Sequence, residues 1–247
     1  MKKDLVKTSN YERFRTGITA VENRGAPETG MLLVIGLPGV SKSIIVNRWA
    51  VEVKAVYLCA APLWTPTRFI DALAERLKVD ASGRRQEVYG RIVGAIARAR
   101  TPIVIDEVQR TLVNGALTLD AIRALSDLTE TVVVLVAGDD GVLARIKRYP
   151  PIARRINRVV EFEEASLDDV ALTCREKAEV EIADDLVAEI HRQSRGIMGH
   201  VINAIATVEY QCKRNGKRKA TLADYHGKAL VVDWQTQRPA QGAAGGR

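Results

Sequence analysis

Residues 31–48 read Met31-Leu-Leu-Val-Ile-Gly-Leu-Pro-Gly-Val-Ser-Lys-Ser-Ile-Ile-Val-Asn-Arg48. The continuous apolar run Met31–Ile35 predicts a strand buried on both faces, as in parallel sheets covered by helices. A loop rich in glycine and proline follows, and a helical pattern begins at Lys42. Strand, loop and helix in this order are the context in which G-x-x-x-x-G-K-[ST] works as a phosphate cradle. Successive loop N–H groups and the positive end of the helix attract an anion. Lys42 then reaches the β- and γ-phosphates, and Ser43 places its hydroxyl on Mg²⁺. The expected cofactors are ATP and Mg²⁺, with nucleotide contacts from Gly36, Leu37, Pro38, Gly39, Val40, Ser41, Lys42, Ser43 and Ile44. The plain alternative is a βα turn with an incidental lysine.

One position departs from the motif, because Ser41 stands where glycine precedes the lysine. That slot commonly needs φ > 0, which costs a residue other than glycine about 1–2 kcal/mol. Micromolar nucleotide binding is worth about 8 kcal/mol. The expectation is therefore weakened ATP binding with slow turnover, not loss of binding.

Outward from this stretch, apolar β-type runs recur at 55–60, 102–106, 131–137 and 158–162. Helical patterns lie between and after them at Lys42–Val53, Thr67–Leu77, Gln86–Arg98, Leu117–Leu128 and Gly141–Arg148. The βα succession predicts a three-layer α/β/α core on a parallel five-stranded sheet. The run Ile103-Val-Ile-Asp-Glu107 puts two acids at the carboxyl end of a strand, where open α/β sheets bind ligands. Asp106 is expected to hold Mg²⁺ through water. Glu107 is expected to orient or deprotonate the attacking water.

The chain has 247 residues, 37 Lys+Arg against 30 Asp+Glu, a net charge of +7 and 47% hydrophobic residues. These figures fit a globular core and exclude wholesale disorder. No apolar stretch is long enough to span a bilayer, so no membrane association is expected. The start MKKDLVKTSN has no apolar region behind its charges, which argues against a secretory signal and for the cytoplasm. Cys59, Cys174 and Cys212 are widely spaced and form no CxxC pair, so reduced thiols are expected rather than a metal site or disulfide.

Beyond Phe162 strand signals stop, and Ser166-Leu-Asp-Asp169 has the form of a capping box. A small all-helical lid follows, with helices at 183–195 and 197–212, a C′ glycine at Gly196, and a last short helix capped by Thr221. The resulting division is 1–30 as an N-terminal segment, 31–164 as core, 165–232 as lid and 233–247 as a disordered tail. Gly138-Asp139-Asp140 ends the fourth strand. Asp139 either faces the γ-phosphate or, with Asp140, caps the next helix. Arg154 and Arg155 either reach a neighbouring subunit's ATP as arginine fingers or form a solvated helix end.

These residues resemble the AAA+ ATPases of the transposition-regulator group, the phage Mu B, TnsC and TniB type, over roughly residues 10–210. The resemblance is carried by Asn10–Gly17, GLPGVSKS, IDEVQ (Ile105–Gln109) and the segment from LVAGDDG to PPIARRI. It implies an ATP-dependent protein that polymerises on double-stranded DNA as a ring or helical filament, captures target DNA and stimulates a transposase. Asp139 then occupies the sensor-1 slot, usually Asn, Thr or Ser, and Arg154 or Arg155 the finger slot. In Ser194-Arg-Gly-Ile-Met-Gly-His200, Gly199 stands where many such proteins have a sensor-2 arginine, with Arg195 or His200 as substitutes.

Candidate DNA contacts are the basic run with Lys213, Arg214, Lys217, Arg218 and Lys219, which is alternatively a solvated loop. The resemblance to AAA+ rings and filaments, whose pore-facing loops follow the second strand and the acidic pair, implies Trp64–Arg68, Arg84, Arg85 and Arg110 as well. Trp64 either stacks on nucleic acid or packs internally. Contacts to the backbone with little sequence specificity are expected. Two other readings stand beside this one. The first is a replication initiator or helicase loader, and the second is a nucleotide-dependent DNA scaffold with negligible hydrolysis.

Overall fold

The computed structural model describes residues 1–2, 4–138, 141–225 and 228–231. Asp139, Asp140 and the segment 232–247, which includes the expected tail, lie outside the described residues. The chain forms two compact units, residues 7–165 and residues 1–6 with the described part of 166–247.

The larger unit opens with helix α1 (Ser9–Glu22), then β1 (Met31–Gly36), α2 (Lys42–Glu52), β2 (Val56–Cys59), α3 (Pro66–Leu77) and α4 (Arg85–Ala99). It continues with β3 (Ile103–Asp106), α5 (Leu117–Thr129), β4 (Val133–Val136), α6 (Val142–Ile146), α7 (Pro150–Ala153) and β5 (Ile156–Phe162). The five strands are all parallel, in the order β2-β3-β4-β1-β5. Strand β1 thus sits inside the sheet, and each of its six residues is buried. Side chains alternate across the sheet. Met31, Leu33 and Ile35 join one core with Phe69, Leu73, Ile92, Ile96, Leu119 and Ile122 from α3, α4 and α5.

The opposite face is covered by α1 and α2. Phe14 meets Trp49 edge to face at 5.8 Å between ring centroids, in the geometry aromatic quadrupoles prefer. A Cβ on Gly17 of α1 would lie 2.3 Å from Val160 Cγ2, so the helix rides directly on β5. Asn10 fixes its start. The side-chain amide donates to Glu163 O at 2.7 Å and accepts from Glu163 N at 3.0 Å. Helix α1 is an element for which the sequence reading gave no prediction.

In the smaller unit, α8 (Leu167–Lys177) begins with the expected capping box. Ser166 accepts from Asp169 N at 3.1 Å and the Asp169 carboxylate accepts from Ser166 N at 3.3 Å. Strand β6 (Glu181–Ile182), α9 (Asp184–Ser194), α10 (Met198–Arg214) and β7 (Lys219–Ala220) follow. The expectation of a purely helical lid is corrected here, because β6 and β7 pair in parallel over two residues each. Helix α9 ends in left-handed Arg195 and Gly196, as the C′ glycine predicts. Cys174 and Cys212 are buried and Cys59 is exposed, all three unpaired by disulfide. Among the described residues no helix is long and apolar enough to cross a membrane.

A close approach of backbone to backbone lies at the end of β1. Gly36 has φ 138°, and a Cβ there would stand 2.3 Å from the main-chain oxygen of Phe162 on β5. Backbone cannot step aside as a side-chain tip can. Gly36→Ala should therefore cost about 3 kcal/mol and lower the thermal midpoint by roughly 10 °C. Gly90→Ala in α4, where a Cβ meets open space, should leave the midpoint unchanged or raise it slightly. Differential scanning calorimetry of the two variants checks the contrast.

Candidate nucleotide site

The loop between β1 and α2 turns through two left-handed residues, Gly39 with φ 85° and Ser41 with φ 70°. The glycine-type conformation expected at position 41 is thus present in a serine. Ser41 occupies the N-cap position of α2 but its side chain makes no capping hydrogen bond, so the strain is not offset locally. Val40 is buried, while Leu37, Pro38, Gly39, Ser43 and Ile44 are exposed. Asn10 Nδ2 reaches Val40 O at 3.5 Å, so one amide braces the phosphate loop as well as the exit of β5.

Lys42 is buried, and its ammonium lies across its own loop. Nζ donates to Leu37 O at 2.7 Å and also to Gly36 O. These two carbonyls bracket the start of the loop and hold the cation at its centre.

At the end of β3, Asp106 is buried and doubly hydrogen-bonded. Oδ1 accepts from Glu107 N at 2.8 Å, and Oδ2 accepts from the hydroxyl of Tyr57 on β2. Burial, followed by the hydrogen bond to Asp106 and its charge, pushes the Tyr57 phenol far above its ordinary range. The Ser43 side chain acts on the same phenol in the opposite sense, as a hydrogen-bonding neighbour. The phenol thus lies between the strand-end aspartate, to which it donates, and the motif serine, whose side chain influences it. Sequence reasoning missed Tyr57, because an aromatic residue within an apolar strand reads as core.

Among the described residues no cluster of three or more His, Cys, Asp or Glu could hold a metal by itself. The donor set instead suits Mg²⁺ beside phosphate, which commonly takes only one or two protein oxygens and fills its shell with phosphate and water. Asp106 and Ser43 would hold it. Cys59 pairs with Asp106 in the β2–β3 register. Although the residue is exposed, partial desolvation of its sulfur, then the charges of Asp106 and Glu107, raise its thiol above the usual range.

Glu107 reverses the chain in the left-handed region at φ 57° and leads into a 3-10 turn, Val108–Leu112. The turn brings Gln109 and Arg110 back beside the carboxylate. Gln109 Nε2 donates to Glu107 Oε2 at 2.6 Å, and Arg110 Nη2 lies 3.6 Å from the same oxygen. Arg110 also donates to Ala60 O at 2.8 Å. This expected DNA contact is thus engaged beside the acidic pair.

The remaining expected residues are dispersed. Arg155 is ion-paired with Asp127, its Nε and Nη2 donating at 3.2 and 3.1 Å, whereas Arg154 is exposed and has no ion pair among the described residues. Arg85 pairs with Asp71, while Arg84 is exposed. Trp64 is only 5% exposed and packs edge-on against Phe69 at 5.7 Å, so it is core. Its neighbour Leu63, at φ 57° and 83% exposure, is the side chain that the loop presents.

In the smaller unit, Lys213 bonds Glu179 and Glu209 at 2.6 and 2.8 Å, Lys219 pairs with Glu181 at 2.6 Å, and Lys217 pairs with Asp224. Of the basic run, Arg214 and Arg218 remain exposed without an ion pair among the described residues.

Replacing Ser41 with glycine removes the left-handed strain and forfeits no cap. Ser41→Gly should tighten nucleotide binding about fivefold, the equivalent of roughly 1 kcal/mol. Isothermal titration with ATP measures it, and an unchanged or weaker affinity refutes the account.

Residues 27–146 match the protein-family model described as AAA domain, a span that holds the phosphate loop, both strand-end acids and Gly138. Comparison with curated proteins gives no match. Among solved structures the chain is similar to Cdc6p from Pyrobaculum aerophilum, with a TM-score of 0.61 and 19% identity over 89% of this chain and 65% of that one. It is similar to the Aeropyrum pernix ORC1 protein solved in complex with DNA, with a TM-score of 0.61 and 17% identity over 89% and 63% of the two chains. The Aeropyrum pernix ORC2 protein, in ADPNP–ADP complexes, gives 0.63 and 12% over 89% and 67%. The chain thus spans slightly less than two thirds of the Cdc6p and ORC1 chains. At these identities the likeness establishes the fold. The larger unit has the AAA+ P-loop α/β fold, and its segment 27–146 is similar to the AAA domain model.

Proposed function

We propose that the protein is an ATP-dependent, DNA-binding AAA+ ATPase that regulates DNA transposition, assembling on double-stranded DNA as a ring or filament and stimulating a transposase. The reading of an ATPase is supported by the phosphate loop with its buried Lys42 and by Asp106 and Glu107 at the same end of the sheet. Lys42 and the loop N–H groups would cradle the phosphates. Bound Mg²⁺ supplies charge neutralisation at the β- and γ-oxygens. Glu107 orients the attacking water and takes its proton. Asp139 keeps the sensor position in this reading.

The transposition role rests on the sequence resemblance around IDEVQ and the Arg154–Arg155 segment. A second reading, an initiator or helicase loader, is favoured by the likeness to Cdc6p and the ORC proteins. Stimulation of a transposase measured beside loading of a replicative helicase separates the two.

Of the two arginines, Arg154 suits a finger acting in trans, because Arg155 is already neutralised by Asp127. Arg154→Ala and Glu107→Gln should each be inactive. Mixed on DNA, they should recover a measurable fraction of phosphate release, because sites pairing intact halves reassemble. No recovery on mixing excludes the finger.

The DNA contact follows the same logic of charges already spent. Arg84, Arg214 and Arg218 have no ion pair among the described residues, while Lys213, Lys217 and Lys219 are held by carboxylates. Replacing Arg214 and Arg218 together by alanine should reduce the salt slope of DNA binding by about two per protomer, given about 0.9 per phosphate contact. The triple lysine-to-alanine variant should change it far less. Fluorescence anisotropy over a salt series gives both slopes.

A further inference from the structure

The reading of Glu107 as the hydrolytic base leaves open what fixes its orientation, and the geometry at the end of β4 answers this. Gln109 contacts two groups at once. Its Nε2 donates to Glu107 Oε2 at 2.6 Å, and its Oε1 accepts from the main-chain N–H of Gly138 at 2.9 Å. A carboxylate requires a donor and a backbone N–H requires an acceptor, so the amide can sit only this way round. A glutamate at 109 would offer acceptors to both partners.

Position 138 is shaped for this amide. A Cβ there would lie 2.3 Å from Gln109 Nε2 and 3.0 Å from Glu107 Oε2. Only glycine lets the side chain cross the end of β4 on its way to the carboxylate. Gln109 is itself carried in by the left-handed turn at Glu107, a conformation that costs about 1–2 kcal/mol and is therefore maintained by its surroundings. Arg110 approaches the same Oε2 at 3.6 Å, while Oε1 has no hydrogen-bond partner among the described residues.

We infer that Gln109 is the positioning residue of the base: pinned by the Gly138 N–H, its amide holds Oε2 of Glu107 and leaves Oε1 to receive the attacking water. The inference rests on the reading of Glu107 as base. It also makes the residue preceding the Asp139 slot a part of the orientation of the base.

The test compares Gln109→Ala, Gln109→Glu, Gly138→Ala, Glu107→Gln and the double variant Glu107→Gln/Gln109→Ala in the full chain. ATP dissociation constants are measured by calorimetry and phosphate release at saturating ATP and DNA. The clashing atoms around Gly138 are mobile side-chain tips, so Gly138→Ala displaces the amide without a backbone collision, and it serves if the Gln109 variants fold poorly.

The expected result is a fall in kcat of roughly ten- to a hundredfold in all three clamp variants, the scale of a misplaced catalytic group. ATP affinity should stay within about twofold of the parent, since a change confined to the transition state leaves ground-state binding intact. In the Glu107→Gln background, Gln109→Ala should cost nothing further, a non-additivity that a merely structural role does not produce. If Glu107→Gln abolishes hydrolysis while the clamp variants keep the parent kcat, or lose affinity and kcat together, the positioning role is overturned and the base reading survives. If Glu107→Gln hydrolyses ATP at the parent rate, the base reading falls and takes the positioning role with it.

Discussion

The close approach of β1 to β5 at Gly36 is the constraint on which the site depends. In a parallel sheet the strand ends define where loops begin, and the loop after β1 begins where the chain passes so close to the Phe162 carbonyl that a Cβ on Gly36 would stand 2.3 Å from its oxygen. That contact fixes the direction in which the phosphate loop leaves the sheet. It also brings the exit of β5 near enough for Asn10 to bind Glu163 and touch Val40 O with one side-chain amide. The helix before the sheet, the loop after β1 and the edge strand β5 are thus locked to one another before any ligand is considered.

The chemistry is then distributed over neighbouring strand ends. β1 supplies the loop, β2 supplies Tyr57, β3 supplies Asp106 and Glu107, and β4 supplies the Gly138 N–H. Because β2, β3, β4 and β1 are adjacent in that order, the acidic pair at the end of β3 is reached by Tyr57 from β2 and by Gln109 and Arg110 from the turn that follows it. Burial makes these contacts consequential. Asp106 is 7% exposed, and a hydrogen bond to a charged group contributes more than one between neutral partners.

Most of this frame is legible in the sequence, since buried parallel strands are continuous apolar runs and the phosphate loop has a motif with a mechanism behind it. The parts that were not legible differ in cause. Helix α1 carries its apolar positions Phe14, Ile18 and Val21 at helical spacing, but Thr8 provides no capping bond and glycine interrupts the middle at Gly17. Strands β6 and β7 are too short for any period to register. Tyr57, Gln109 and Arg155 have ordinary local contexts, and what distinguishes them is a partner far along the chain. Asp106 lies 49 residues from Tyr57, Gly138 lies 29 from Gln109, and Asp127 lies 28 from Arg155. The basic run shows the converse. Its composition suggests a free polycation, whereas three of its five charges are met by carboxylates from elsewhere in the same unit.

The ammonium of Lys42, bound to the carbonyls of Gly36 and Leu37, gives the loop a threshold. Each charge-assisted hydrogen bond is worth about 1.5–3 kcal/mol, so an incoming anion must offer more than the loop's own backbone before the lysine turns toward it. A small singly charged anion gains little by that exchange. A polyphosphate, which engages the loop N–H groups and the lysine together, gains enough. On the proposed reading, the loop would thereby favour anions that carry several charges.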